Sequence, residues 1–168
     1  MEQVNQKIGN ERPVKHYITS TNYHNCKLYF FSAEVKEILK TYGLVPNKTY
    51  SKDFCFPFLL QRQYWKDYLR GYFDGDGCIK LTGNTLTFQI DGTNYSILKQ
   101  FQDYLKADFN IDTHIYKDTP EQYPRQTVDK YRIYAYANNA LKIFELIYAD
   151  PNCIKLQRKF DKYLTYKK

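Results

Sequence analysis

The 168-residue chain is long enough for one domain with a buried core, and it is short for two full domains. Its 25 Lys and Arg residues exceed its 18 Asp and Glu residues, which favours a polyanionic partner, with a solvated basic surface as the alternative. No apolar run approaches the roughly 20 residues that span a bilayer, and the dispersed cysteines and histidines form no zinc pattern. We therefore expect an intracellular protein with reduced thiols and no membrane partner.

The first part of the chain predicts a β-hairpin followed by a helix. Apolar residues alternate with polar or aromatic ones over residues 14–20 and 26–32, on either side of a polar break. Ser32 is a favourable N-cap, and Gly43 suits the C-terminal end of the helix that follows. The apolar residues at helical spacing between them are Val35, Ile38, Leu39 and Tyr42. Residues 45–57 show no periodicity and predict a linker.

The remainder of the chain predicts helices alternating with pairs of strands. A helix with Trp65 and Phe73 on its apolar face precedes two strands, 78–81 and 85–91, that are joined by a Gly83-Asn84 turn. The later predicted elements are a helix capped by Asn94, strands at 111–117 and 130–137, a helix capped by Asn138 with Ala140, Leu141, Phe144 and Ile147 on one face, and a basic helix with Ile154, Leu156, Phe160 and Leu164.

The sequence also indicates an internal repeat. When residues 27–29 are laid on residues 132–134, Phe31 aligns with Tyr136, Ile38 with Ile143 and Pro46 with Pro151. We therefore predict an α+β protein of one and a half repeats. Residues 1–60 form the back half of a first repeat and a linker, and residues 61–168 form a complete second repeat.

Two glycines and two acids mark the most informative segment. Gly71 and Gly75 lie one turn apart in a helical pattern, where each costs about 0.5–1 kcal/mol relative to alanine. Close packing of a second helix explains them. Asp74 and Asp76 fall at the helix C-terminus, where the macrodipole disfavours negative charge, so we interpret them as holding a cation.

The acidic pair also resembles three other kinds of site. A calcium-binding EF-hand loop that starts at Asp74 needs Glu at its twelfth position, and Thr85 stands there. A phosphatase-like Asp-x-Asp nucleophile follows a buried strand, whereas this pair follows a charged helical segment, and it stays open as a minor alternative. An ordinary Asp-Gly turn explains Gly75 and Gly77, but it leaves Gly71 and the second acid unexplained.

Residues 69–77, with the sequence LRGYFDGDG, resemble the nine-residue signature of the LAGLIDADG homing endonucleases. Arg70 replaces the usual small residue at the second position. The predicted order of elements in residues 61–164 is similar to that family's repeat, and residues 39–48 resemble the end of the first repeat in its two-motif members. The resemblance implies a LAGLIDADG fold, in which an antiparallel sheet packs on helices.

The resemblance also implies a metal site between two motif helices. The carboxylate of Asp76 and the backbone carbonyl of Gly75 would bind Mg²⁺, which makes water nucleophilic in phosphodiester cleavage. Four residues would serve the motif and its helix packing, namely Leu69, Gly71, Asp74 and Gly75. The candidates for basic catalytic residues near the scissile phosphate are Lys48, Arg158 and Lys159, with a solvated basic surface as the alternative for each.

The predicted sheet is the expected DNA-binding surface. By alternation, the side chains directed towards the helices are Ile79, Leu81, Phe88, Ile90, Ile133 and Ala135. Those directed outward are Lys80, Thr82, Thr87, Gln89, Arg132, Tyr134 and Tyr136, with Lys27, Tyr29 and Phe31 as counterparts in the first repeat. Such a row suits the major groove of double-stranded DNA, and a solvated sheet face is the alternative.

We therefore expect an intron- or intein-associated DNA endonuclease that depends on a divalent metal. Because the chain carries one Asp76, a two-metal site requires a homodimer or a separately encoded partner that supplies the second motif helix. The alternative is a non-cutting nucleic-acid binder of the same fold, such as an intron maturase, a transcription regulator or a ribosome-associated protein, with RNA left open as a ligand. A protein-interaction domain would leave the outward basic and aromatic row unexplained.

Overall fold

A β-hairpin flanked by two helices forms the N-terminal part of the protein. The computed structural model describes residues 1–29, 31–44, 57, 59–118 and 128–167. The chain divides into the units Met1–Ile38 and Leu39–Lys168. The first elements in chain order are α1 (Glu2–Lys7), β1 (Lys15–Ile18), β2 (His24–Lys27) and α2 (Ala33–Thr41).

The predicted hairpin and helix are confirmed, with both strands shorter than predicted. Strand β2 begins earlier than predicted and ends at Lys27, which pairs with Lys15, so Tyr29 lies beyond the paired region. The Ser32 Oγ accepts a hydrogen bond from the Val35 N–H at 3.1 Å, as expected of an N-cap. Apart from Pro57, the predicted linker lies outside the described residues.

An antiparallel four-stranded sheet organises the second unit. Its strands lie in the order β3-β4-β6-β5. The elements of this unit are a 3-10 turn (Arg62–Tyr64), α3 (Trp65–Asp76), β3 (Gly77–Thr82), β4 (Thr85–Gly92), α4 (Tyr95–Phe109), β5 (His114–Asp118), β6 (Lys130–Tyr136), α5 (Ala137–Ile147) and α6 (Gln157–Lys167). The order of helix, two strands, helix, two strands, helix agrees with the prediction. None of the helices in the described ranges combines the length and the apolar composition needed to cross a membrane.

Local signals in the sequence account for several of these boundaries. Gly83 adopts φ +56° in the turn between β3 and β4, a conformation that glycine adopts without steric cost. The Asn94 Oδ1 accepts a hydrogen bond from the Ile97 N–H at 3.2 Å and caps α4. Both features were predicted from the sequence.

Two helix starts differ from the predictions. Asn138 does not cap α5, because β6 runs into this helix through Ala137 at φ +47° and Tyr136 occupies the N-cap position without a side-chain hydrogen bond. The last helix begins at Gln157, so Ile154 and Leu156 precede it.

The core lies between the sheet and helices α3, α4 and α5. The rings of Phe73, Phe88 and Phe144 contact one another, with centroids 5.0 to 5.7 Å apart. Burial of one such side chain contributes about 1.5–3 kcal/mol to stability. Of the residues predicted to face the helices, Leu81 is the exception at 49% exposed, because it lies close to the hairpin turn at Gly83.

Candidate active site and nucleic-acid interface

Arg70 lies on the side of helix α3 that faces the rest of its own unit. Its Nε donates a hydrogen bond to the Ile154 carbonyl at 3.0 Å, and its Nη1 donates one to the Ile147 carbonyl at 3.2 Å. Leu69 and Phe73 of the same helix are fully buried. The large residue at the second signature position therefore ties α3 to the end of α5 and to the segment before α6.

Gly71 and Gly75 lie on an open face of the same helix. Both are exposed, and a Cβ built on either glycine has no neighbouring atom within 4 Å. Gly77 is different, since a Cβ there would lie 2.3 Å from Cδ2 of Phe73 and 2.6 Å from the Phe73 carbonyl oxygen. The structure requires glycine at position 77, whereas the described residues leave room at positions 71 and 75.

The carboxylate of Asp74 is engaged inside the unit. One of its oxygens accepts a hydrogen bond from the Tyr148 hydroxyl at 3.0 Å, and the other accepts one from the Leu156 N–H at 2.8 Å. Burial raises the pKa of Tyr148 well above its usual value, and the negative charge of Asp74 adds to this effect. These contacts connect the end of α3 to α5 and to the start of α6.

Lys159 caps the C-terminal end of helix α3. Its Nζ donates hydrogen bonds to the carbonyls of Phe73, Asp74 and Gly77 at 2.6, 2.9 and 2.6 Å, and the side chain is only 3% exposed. Burial lowers the pKa of Lys159, as does the neighbouring charge of Arg158, while the nearby acids oppose these effects. A cation at this position stabilises the helix dipole.

This placement of Lys159 corrects the expectation of a cation that is available to the scissile phosphate. A lysine ammonium has three N–H donors, and the backbone carbonyls take all three. Helix α6 turns Lys159 inward and leaves its neighbour Arg158 exposed. Lys48, the third predicted basic residue, lies outside the described residues.

Asp76 is the last residue of helix α3 and is exposed. Throughout the described parts of the chain, no hydrogen bond or ion pair engages its carboxylate. Its charge nevertheless acts on Tyr72, whose pKa is raised by burial and, to a smaller degree, by Asp76. Asp76 is therefore the acid of the pair that is available to a ligand.

The donors at the end of α3 fit a hydrated magnesium ion. Mg²⁺ usually binds one or two carboxylates and keeps several of its waters, and Asp76 offers one carboxylate beside the backbone carbonyl of Gly75. The three carbonyls bound by Lys159 do not include that of Gly75. Within the described ranges, no three His, Cys, Asp or Glu residues converge on one point as a metal site.

The face of the sheet that is turned away from the core carries the predicted DNA-binding residues of this unit. Cross-strand register places Lys80 opposite Thr87, Gln89 opposite Tyr134, and Thr87 opposite Tyr136. Lys80 is exposed and Tyr136 is 52% exposed. The remaining predicted members are Thr82, which is exposed, and Arg132 and Tyr134, which are half-buried.

Thr87 and Gln89 are buried, although the sequence predicted exposed side chains at these positions. They are only 8% and 7% exposed, because β4 is an interior strand and the side chains of its neighbours flank them. His114 and Tyr116 belong to the same face, opposite Tyr134 and Arg132, and the sequence prediction missed them. The alternation around the inward-facing Ile115 was the signal that would have found them.

A chain of polar contacts crosses all four strands on this face. The Nζ of Lys80 donates to the Gln89 Oε1 at 3.1 Å, and the Gln89 Nε2 donates to the Asp91 carboxylate at 2.8 Å. Arg132 completes the chain, with its Nε donating to Asp91 at 2.6 Å and its Nη2 lying 3.7 Å from the carboxylate of Asp118. These contacts restrain the basic side chains and place two acids among them.

The predicted DNA-binding residues of the first repeat lie in the N-terminal unit. The Nζ of Lys27 lies 5.1 Å from the centre of the Tyr17 ring, and Tyr29 and Phe31 are 39% and 74% exposed. All three lie within Met1–Ile38.

A family model described as a LAGLIDADG-like domain matches residues 66–148. This protein carries a LAGLIDADG-like domain. The match confirms the resemblance and the α+β fold predicted from the sequence, and the LAGLIDADG-like segment contains Asp76 and the complete four-stranded sheet. LAGLIDADG domains occur in nucleases and nucleic-acid-binding proteins. Neither the curated proteins nor the solved structures offer a match to the chain.

Proposed function

We propose that this protein binds double-stranded DNA and hydrolyses its phosphodiester bonds as a metal-dependent endonuclease. The observation that carries the proposal is the exposed carboxylate of Asp76, which ends a helix whose glycine face is open. In the same LAGLIDADG-like segment, the sheet presents Lys80, Tyr134 and Tyr136 on the face that the helices do not cover.

The residues around Asp76 are suited to holding it in place. Lys159 donates to three carbonyls around the junction of α3 and β3, and Asp74 accepts hydrogen bonds from Tyr148 and Leu156. These five hydrogen bonds restrain the backbone on either side of Asp76. A divalent cation held by Asp76 and the Gly75 carbonyl would supply a nucleophilic water and neutralise charge on the phosphate. Lys159 does not contact the phosphate in this mechanism, because its three donors are occupied. It acts by holding the backbone next to Asp76 in place.

A second motif helix completes the proposed site. Close helix packing needs small residues at the contact, and Gly71 and Gly75 offer that surface without rearrangement of the chain. Two-metal cleavage needs acids on both sides of the scissile phosphate. A homodimer, or a complex with a separately encoded half, therefore supplies the second Asp76 or its equivalent.

The sheet face supplies the proposed contacts to DNA. Lysine and arginine neutralise phosphates, while tyrosine and glutamine side chains reach sugar and base edges. The formal net charge of +7 favours association with DNA, and the affinity should fall steeply with salt concentration.

Nicking of supercoiled plasmids that carry a random insert library, with Mg²⁺ present, tests the proposal. The wild-type protein should nick a subset of the library. Asp76→Asn should reduce nicking more than about a hundredfold while DNA binding persists, because loss of even an outer contact to a metal site costs about 10- to 100-fold. Asp103→Asn is the matched control, since Asp103 is an exposed acid on α4 that pairs with Lys99.

A non-cutting nucleic-acid binder is the second candidate. The observation that favours it is the supply of only one available carboxylate at the end of α3, with no three-ligand metal cluster in the described ranges. If wild type and Asp76→Asn both shift DNA or RNA and neither nicks any member of the library, the binder replaces the nuclease.

None of the three described cysteines forms a disulfide, which supports the proposed intracellular location for either function.

A further inference from the structure

A cavity in the N-terminal unit lies outside the proposed nuclease site. It has a volume of about 480 Å³ and is lined by Arg12, Pro13, Lys15, Tyr29 and Phe31. All of these residues belong to the unit Met1–Ile38, whereas the LAGLIDADG-like segment begins at residue 66. The volume falls within the range of about 300–1,000 Å³ that is typical of small-ligand sites.

The walls of this cavity are joined by asparagine side chains. The Nδ2 of Asn10 donates hydrogen bonds to the carbonyls of Tyr29 and Arg12 at 3.1 and 3.3 Å. Asn5 accepts a hydrogen bond from Asn10 at 2.6 Å and donates one to the Arg12 carbonyl at 2.9 Å. The segment that carries Arg12 and the segment that carries Tyr29 are therefore held together before any ligand binds.

Each aromatic ring of the cavity is paired with a cation. The guanidinium carbon of Arg12 lies 4.6 Å from the centre of the Phe31 ring, and the Nζ of Lys15 lies 5.6 Å from the centre of the Tyr29 ring. Phe31 is 74% exposed although Arg12 covers part of it. A planar group can therefore stack on the uncovered ring surface while an anion approaches the cations.

The charge around the cavity selects an anionic ligand. The lining of the cavity contains the cations Arg12 and Lys15 and no acidic side chain, while Glu11 and Glu34 are close by in the sequence but do not line it. An acidic peptide would satisfy the cations and leave the exposed rings unused. A nucleotide satisfies both, because it joins a flat base to a phosphate. The bases of a duplex are stacked on one another, so only an unpaired nucleotide presents a free face to these rings.

We propose that this cavity binds an unpaired nucleotide of a single-stranded nucleic acid. The base stacks on Phe31 or Tyr29, and the phosphate lies against Arg12 and Lys15. DNA and RNA share this chemistry, and the 2′-hydroxyl distinguishes them. The site is independent of Asp76, so the nuclease and the single-strand site stand or fall separately.

Fluorescence anisotropy of the full chain with labelled single-stranded oligonucleotides tests this site. DNA and RNA strands of the same sequence form the two arms, and an unlabelled duplex is the competitor. Phe31→Ala should weaken binding roughly fivefold to a hundredfold, since the stacking of one base on an aromatic ring contributes about that factor. Arg12→Gln should weaken binding and lower the slope of log affinity against log salt by about one.

Matched variants separate the cavity from a general surface effect. Tyr23 is 70% exposed but does not line the cavity, so Tyr23→Ala should bind like wild type. Phe31→Tyr keeps an aromatic ring and should retain binding, and Asp103→Asn, at an exposed acid of α4, should bind like wild type. If single-stranded DNA or RNA binds and the variants behave in this way, the proposal is supported. The strand that binds more tightly shows which nucleic acid the site prefers. The proposal is overturned if neither strand binds, if Tyr23→Ala and Phe31→Ala are equally defective, or if the duplex competes as well as the single strand.

Discussion

Helix α3 has one side that its own chain fills and one side that its own chain leaves open. On the filled side, Phe73 is buried, Arg70 and Asp74 hydrogen-bond to distant segments, and Lys159 binds the carbonyls at the C-terminal end. On the open side, Gly71 and Gly75 have no neighbour within reach of a Cβ. The signature residues thus divide between those that stabilise this fold and those that lie on the open face of the helix.

This difference explains why residues of one short motif should respond differently to substitution. A change on the filled side should alter the free energy of unfolding of the chain itself. A change on the open side should not destabilise the chain, and under the proposed function it should act on association. The two acids follow the same division, because Asp74 is hydrogen-bonded inside the unit and Asp76 is exposed.

The largest effect on stability is expected from Lys159→Met. The substitution removes the ammonium from three carbonyls and keeps much of the side-chain volume. We expect a loss of about 2 kcal/mol, since a buried acceptor left without a partner costs about 1–3 kcal/mol, whereas the Phe73 carbonyl keeps the hydrogen bond from the Gly77 N–H. Urea unfolding measures it. Arg158→Met is the control because Arg158 is exposed, and its effect should stay within about 0.5 kcal/mol. Equal effects of the two variants would contradict the capping role.

A comparison of two glycines tests the division more directly. Gly77→Ala places a Cβ against Phe73 and should cost about 1–3 kcal/mol through overpacking. Gly71→Ala meets no neighbouring atom, so it should stabilise the chain by up to about 1 kcal/mol through helix propensity. Thermal or urea unfolding of the two variants checks the opposite signs.

Association supplies the complementary measurement for the same face. If a second motif helix packs on Gly71, the larger Gly71→Leu side chain should weaken the dimer in sedimentation experiments while the fold is retained. A wild-type protein that stays monomeric alone and with DNA would show that the open face does not serve self-association.

The smallest effect is expected from Tyr148→Phe, and it should depend on pH. Loss of the hydrogen bond to Asp74 should cost about 0.5–1.5 kcal/mol at neutral pH. Burial raises the pKa of Tyr148 in the folded state, while an unfolded tyrosine loses its proton near pH 10. Above about pH 10 the unfolded state therefore binds fewer protons than the folded state, and the stability of the wild type falls as pH rises.

The phenylalanine variant lacks this ionisation. The difference in stability between wild type and Tyr148→Phe should therefore shrink as the pH is raised from neutral through pH 10. A difference that stays constant over this range would show that the hydroxyl is not protected in the folded state. Tyr72 and Tyr104 also have raised pKa values from burial, so part of the alkaline loss should remain in the variant.

Predictions from the sequence succeeded where the deciding contacts are local. The Gly83-Asn84 turn, the Asn94 cap and the Ser32 cap each depend on atoms within a few residues of one another. Asn138 failed as a cap because the entry into α5 is set by a strand that ends at Tyr136 and a positive φ at Ala137. Alternation likewise placed Gln89 on the correct face, but it could not reveal that Gln89 is covered there.

The sequence by itself determined the order of helices and strands in the second unit, the LAGLIDADG-like signature and the pair of acids at the end of its helix. These features depend on residue type and spacing, because the backbone periods of helix and strand determine which residues share a face. Only the tertiary structure decided which acid is engaged, where Arg70 is directed, and that Lys159 caps α3 from more than 80 residues away along the chain. Such contacts depend on how α5 and α6 return to the motif helix, which no local pattern specifies.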